Sequence, residues 1–187
     1  MASHRVWPMK LTVLIACFWL ACSSRVLAAA VPAGYHAVAQ AEGVPADLLY
    51  ALACAESGRP LPDGAVRPWP WALNVGGESR YFDSRLAAYR DLVLVLKTTR
   101  NVDIGLGQIN WHWHRERLRD AWQALDPYFN LGVAARFLRE QFEHCDCDDW
   151  WIAIERYHAP SNSERAGPRR AAYRRRVEQC WRQQSAT

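Results

Sequence analysis

Pro45-Ala46-Asp47-Leu48-Leu49-Tyr50-Ala51-Leu52-Ala53-Cys54-Ala55-Glu56-Ser57-Gly58 reads as one helix with both ends marked. Proline suits a first helical turn because its ring presets φ and its missing N–H would have had no intrahelical partner there, and glycine is a common closing residue. Between them no residue breaks the pattern. Leu49, Leu52, Ala53 and Glu56 fall at i, i+3, i+4 and i+7, so one stripe carries three apolar side chains and then a carboxyl. A carboxyl facing an apolar cleft loses hydration of its charged form, and its pKa rises, as a general acid near neutral pH requires. Taken alone, the same residue also fits an ordinary helix-end glutamate turned to solvent or paired with an arginine.

On the C-terminal side, Pro60 to Pro70 predicts a proline-rich loop. Trp71-Ala72-Leu73-Asn74-Val75, Gly76-Gly77 and Glu78-Ser79-Arg80-Tyr81-Phe82 predict a short hairpin about a Gly-Gly turn. Ser84 is placed to cap a helix from Arg85 to about Lys97, with Leu86, Tyr89, Leu92 and Leu96 near helical spacing. Asn101 to Asn110 reads as a turn, Trp111 to Leu125 as helix, and Pro127 as the start of a helix through Leu131, Ala134, Ala135, Leu138 and Phe142. Asp148 or Asp149 caps a tryptophan-led helix ending near His158, and Pro168 opens the last one. No internal repeat or dividing linker is visible. The expectation is one mainly α domain with a small β-hairpin, over residues 31–187.

Residues 1–30 read as a signal peptide. Arg5 and Lys10 precede a twelve-residue apolar run, Leu11 to Cys22, which is too short for a spanning helix, and Ala28-Ala29-Ala30 supplies small residues for cleavage. Leu14-Ile15-Ala16-Cys17 also has the form of a lipid-attachment box, although little apolar chain precedes it. The expected location is therefore periplasmic. The 187 residues hold 23 Lys+Arg and 19 Asp+Glu, a net charge of +4; removing Arg5, Lys10 and Arg25 leaves +1, which excludes nucleic-acid binding by bulk charge. The arginines from Arg165 to Arg182 read as a solvated helix face, with contact to an anionic polymer or membrane as the alternative. Cys54, Cys145, Cys147 and Cys180 lie beyond the signal segment, and an even number in an exported chain predicts disulfides. Pairing Cys145 with Cys147 would be strained, so Cys180 is expected to meet one of them. A metal set of His144, Cys145 and Cys147 lacks a fourth ligand.

Two further stretches carry groups suited to chemistry. In Asp103-Ile104-Gly105-Leu106-Gly107-Gln108-Ile109-Asn110 the glycines admit close approach of a ligand, and Gln108 and Asn110 offer donors and acceptors suited to sugar hydroxyls; a plain turn explains the glycines equally well. In Ala153-Ile154-Glu155-Arg156-Tyr157-His158-Ala159-Pro160 a tyrosine near a helix end can support a buried carboxylate, or simply pack. Eight tryptophans follow residue 30, Trp69 and Trp71 among them; some could line a saccharide groove, most suit a core.

Glu56-Ser57, then Gly105-Leu106-Gly107-Gln108-Ile109, then the Tyr157 stretch, in that order and spacing, resemble the soluble lytic transglycosylase family of peptidoglycan-cleaving enzymes, over about Ala46 to Val177. The likeness is greatest to the small exported members associated with conjugation, integrating conjugative elements and type IV secretion, where Pro68-Trp69-Pro70-Trp71 and Leu73-Asn74-Val75 look like the proline-tryptophan-hairpin stretch. The resemblance implies a goose-type lysozyme-like helical fold, Glu56 as acid/base, Ser57 beside it on the substrate, Gly105, Gln108, Asn110 and His158 along the saccharide groove, and Tyr157 supporting the glutamate. It implies peptidoglycan glycan strands as substrate, conjugation or secretion components as possible partners, and no metal or cofactor. This chain departs from the family's pattern at Gly107, where methionine is frequent, at His158, where asparagine is usual, and at Pro160, where glycine is usual. The implied reaction needs one carboxyl, because the muramyl C6 hydroxyl acts as nucleophile and closes a 1,6-anhydro ring. A lysozyme-like hydrolase would need a positioned water and a second carboxylate, for which Asp103 is the nearby residue. A wall-binding assembly protein without activity is the third reading.

Overall fold

The structure, a computed structural model, describes residues 31–146, 148–159 and 166–185. The signal-peptide reading, Cys147 and Pro160 lie outside the described residues. Eight helices are present among them: α1 (Ala33–Glu42), α2 (Ala46–Ser57), α3 (Arg85–Val95), α4 (Trp111–Leu118), α5 (Ala121–Ala124), α6 (Pro127–His144), α7 (Trp150–His158) and α8 (Ala166–Ser185). The fold is mainly α with a small antiparallel β part, as the sequence predicts. None of the described helices is long and apolar enough to cross a membrane.

Helix starts carry side-chain caps, at Ser84 and Asp149 as expected and at Asp126 besides. The Ser84 hydroxyl accepts from Ala87 N–H, the Asp126 carboxylate from Phe129 N–H and the Asp149 carboxylate from Trp151 N–H, each satisfying an amide that a first turn leaves unpaired. The run expected as one helix from Trp111 to Leu125 is broken instead. Arg119 takes a left-handed φ of 64°, and Asp120 then caps a new short helix through Gln123 N–H.

The β part is larger than one hairpin. β1 (Gly58–Pro60) and β2 (Val66–Pro68) pair antiparallel where a loop is expected; Asp63 accepts from Ala65 N–H and Gly64 takes a φ of 81°, which makes the turn. Both prolines stand on the edges of this two-stranded ribbon, where a missing N–H costs little. β3 (Ala72–Val75) and β4 (Glu78–Tyr81) form the expected hairpin, with positive φ at both Gly76 and Gly77. β5 (Val102–Ile104) and β6 (Ile109–Asn110) then extend it in the order β4-β3-β5-β6, so Asn101–Asn110 is a strand pair rather than a plain turn.

Helix α2 runs through the middle of this arrangement. Every side chain from Leu48 to Cys54 is buried. Leu48, Ala51 and Leu52 face a core shared with the sheet, α6, α7 and α8, while Leu49, Tyr50 and Ala53 face a second core with α1 and the start of α6. Burial of leucine contributes roughly 1.5–3 kcal/mol per side chain, so α2 is held from both sides. α8 lies antiparallel along it: the Trp181 indole and Gln184 amide donate to Asp47, Cys180 meets Cys54, and Tyr173 reaches Glu56.

The cysteines differ from the expected pairing. Cys180 is a free thiol set against Cys54 on α2, and Cys145 is disulfide-bonded. The Cys54 thiol is pushed up by its hydrogen bond to Cys180 and by burial, whereas the same bond draws Cys180 down. Because the thiolate is the reactive form, iodoacetamide should label Cys180 first in the native protein and Cys54 only on unfolding, as peptide mapping of timed alkylation would report. Labelling of both at one rate would contradict the packing of α8 on α2.

Candidate active site

Groove walls are supplied by five parts of the chain: the end of α2, the β3–β4 hairpin, the β5–β6 turn with α4, Phe137 of α6, and the end of α7 with the middle of α8. They enclose a cavity of about 900 Å³. Glu56, Gln108, Asn110, Tyr157 and His158 all line it, joined by Asp103, Trp113, Phe137 and Arg176. Five of the seven sequence-selected residues therefore meet in one place, from segments as far apart as residues 56 and 158.

Glu56 is reachable from the groove, yet protein atoms surround its carboxyl closely enough to strip most of its hydration. That burial raises its pKa to about 7. The Tyr173 hydroxyl and the Arg176 guanidinium pull in the opposite direction, and the Asp103 carboxyl adds a smaller upward push. Near neutral pH this carboxyl thus retains a proton that an ordinary glutamate has lost.

Two tyrosines, Tyr157 and Tyr173, stand close enough to this carboxyl to feel its charge. The Tyr157 hydroxyl donates to the Gly107 carbonyl oxygen at 2.8 Å, tying α7 to the β5–β6 turn. The hydroxyl that favours the Glu56 carboxylate belongs to Tyr173 of α8. It is buried, closes no hydrogen bond within 3.5 Å, and its ring stacks flat on His158 with 4.8 Å between centroids. Removing it by Tyr173→Phe takes away a group that favours the carboxylate, so the alkaline limb of any Glu56-dependent activity should move to higher pH; a rate–pH profile checks the direction.

Two selected residues do not line the groove. Ser57 is 1 % exposed, and its Oγ lies 2.9 Å from Ala53 O and 3.0 Å from Leu106 O, where it fastens α2 to the β5–β6 turn. One residue along a helix turns the side chain by about 100°, so Ser57 points into the protein while Glu56 points into the groove. Gly105 is structural as well. Its φ is 74°, and a Cβ there would stand 2.6 Å from the Asn130 side chain. Asn110 lines the groove but spends its amide inside the fold, donating to Asn101 and Asp103 and accepting from His112 and Trp113 N–H to cap α4. Gln108 clips its Nε2 to Gly105 O at 2.9 Å, while its Oε1 accepts no hydrogen bond among the described residues.

What holds the turn is a residue that the sequence reading passed over. Asn130 of α6 is fully buried; its Oδ1 accepts from Gly107 N–H at 2.9 Å and its Nδ2 donates to Ile104 O at 2.9 Å and Ala124 O at 3.1 Å. Only oxygen can accept from an N–H and only the amide nitrogen can donate to two carbonyls, so the amide has one possible orientation. Trp113 was missed too: its side chain is 75 % exposed at the groove, whereas Trp69 is covered by Arg59, 4.3 Å from the ring centroid, and Trp71 packs on the core. An exposed indole beside a polar groove offers an apolar face of the kind sugar rings stack on. No group of three His, Cys, Asp or Glu side chains converges on a possible metal position among the described residues.

The raised pKa has a stability consequence with a definite sign. Below the ordinary carboxyl value of 4.5 both folded and unfolded chains hold the Glu56 proton; as pH rises through about 7 the folded chain must carry a poorly hydrated charge. The native state therefore loses stability over that window, by on the order of 3 kcal/mol at its end. A Glu56→Gln chain escapes this loss, so the gap between the two melting temperatures should be near zero at pH 4 and widest above pH 8. Parallel melting curves across pH would contradict the burial of this carboxyl.

No protein-family model matches the chain, and no curated protein or solved structure matches it either.

Proposed function

We propose that the chain is an exported peptidoglycan lytic transglycosylase, cutting the β-1,4 bond between N-acetylmuramic acid and N-acetylglucosamine. The carrying observation is Glu56: one carboxyl with a pKa of about 7, reachable from a groove of about 900 Å³. Its motif context, shared with the lytic transglycosylases, supports the same reading. Glu56 protonates the glycosidic oxygen as the bond to C1 breaks. The muramyl C6 hydroxyl then attacks C1, and the Glu56 carboxylate takes the hydroxyl proton, which restores the acid and leaves a 1,6-anhydro ring. One group performs both transfers because its pKa lies near the working pH. Gln108, through its uncommitted Oε1, and the Trp113 ring are the groups available to position the sugar. A small enzyme of this kind suits local opening of the wall for a conjugation or secretion apparatus.

Asp103 favours a second reading. It lines the same groove, interacts with Glu56, and is held by Asn110 Nδ2 at 2.8 Å, so it is placed to orient a water for hydrolysis. Mass spectrometry of soluble muropeptides decides between the two. Products ending in anhydromuramic acid, one water lighter, support the transglycosylase. Reducing ends move the assignment to a hydrolase. Absence of any product from a folded chain removes both.

A further inference from the structure

The basic stretch of α8 divides by partner. Arg174 is paired with Glu155 at 3.1 Å and Glu178 at 2.8 Å, and Arg182 reaches Glu178 at 3.6 Å. Arg176 is different. It is exposed, and among the described residues it forms no ion pair and is the only arginine or lysine lining the groove. Its guanidinium carbon stands 5.3 Å from the centroid of the Tyr173 ring, which anchors the side chain beside the Glu56 carboxyl. Arg169, seven residues earlier and on the same helical face, also acts on His158 at the groove rim.

A cation in this position works against a proton donor, because it favours the charged carboxylate. Its presence calls for an anion that arrives with the substrate. Resting on the peptidoglycan reading above, we propose that Arg176 is a specificity-determining residue that engages a carboxylate carried by the glycan next to the bond being cut. Muramic acid provides two sources: its own lactyl carboxylate, free when the stem peptide has been removed, and the carboxylates of the stem peptide, present when the lactyl group is amide-linked. A planar guanidinium offers two parallel N–H donors matched to either.

The experiment measures binding with Glu56→Gln protein, purified after export of the full-length chain, so that nothing is cut. Four probes are used: peptide-free strands and strands retaining stem peptides, each with carboxyls intact or amidated by carbodiimide. Adding Arg176→Gln should weaken binding to at least one intact probe about tenfold, and should leave the amidated form of that probe bound as by the parent. Arg176→Lys should recover part of the loss. An effect confined to peptide-free strands identifies the lactyl carboxylate; one confined to peptide-bearing strands identifies the stem. Equal weakening toward intact and amidated probes, or none toward any, overturns the role of Arg176 while leaving the glycan groove in place. A parent that binds none of the four removes the peptidoglycan reading, and this inference with it.

Discussion

Replacing Glu56 by glutamine is expected to lower glycan cleavage by at least two to four powers of ten, the range in which a positioned general acid contributes, while leaving glycan binding intact. Glutamine keeps the size and polarity of the side chain and loses the transferable proton. It also removes the need to hold a buried charge, so the variant should fold at least as well as the parent and the loss cannot be assigned to unfolding. Turnover of purified peptidoglycan, measured beside binding of the same material, gives both numbers. A Glu56→Gln chain that still cuts would move the proton to another group, and Asp103, in the same groove with burial raising its own carboxyl, is where it would be sought. A chain that neither cuts nor binds before substitution would point away from glycan altogether.

Asn130→Asp is expected to be the most damaging single-atom change to the fold. The new oxygen would replace an amide nitrogen that donates to Ile104 O and Ala124 O, setting three oxygens against one another in a fully buried position. Leaving two carbonyls unpaired beside an uncompensated charge costs about 3–5 kcal/mol, which for a chain of this size lowers the melting temperature by about 10 °C. Protonation supplies one donor, so part of the loss should return below the carboxyl pKa. The Gly107–Gln108 segment hangs on the same side chain, and activity should fall with stability. Thermal melts at pH 4 and pH 7 test this; a variant as stable as the parent at both would mean that the Asn130 bonds do not hold the turn.

Much of this was legible in the chain because it is written in local chemistry. Ser84, Asp126 and Asp149 each stand where a helix start needs an acceptor, and Gly76-Gly77 supplies the two positive φ angles of a tight hairpin. The apolar run on α2 matched its burial, but the stripe of Leu49, Leu52 and Ala53 did not mark one face: Leu52 packs in one core and Leu49 and Ala53 in the other. The strands β5 and β6 were hidden because Gly105 and Gly107 sit between them and mimic a plain turn. The break at Arg119 carries no residue signal, since a left-handed arginine is imposed by what surrounds it. Ser57, which the resemblance puts on the substrate, is turned into the protein by the helical step of about 100° from Glu56. Tyr173 and Arg176 could not be found from their own segment: what gives each a role is the lie of α8 along α2, a contact between residues more than a hundred positions apart. Asn130 looks like any polar residue on a helix until its three partners are known.

Helix α2 carries Glu56 and is buried from Leu48 to Cys54 between two cores. Amide hydrogens in such a segment exchange only when the whole domain opens. Glu56 is thus mounted on a helix packed from both sides, whereas the opposing hairpin stands at the edge of its sheet, with Glu78 and Ser79 exposed. In the proposed reaction, accommodation of a stiff polymer strand is expected from the hairpin jaw of the groove, with Glu56 held in place by its helix.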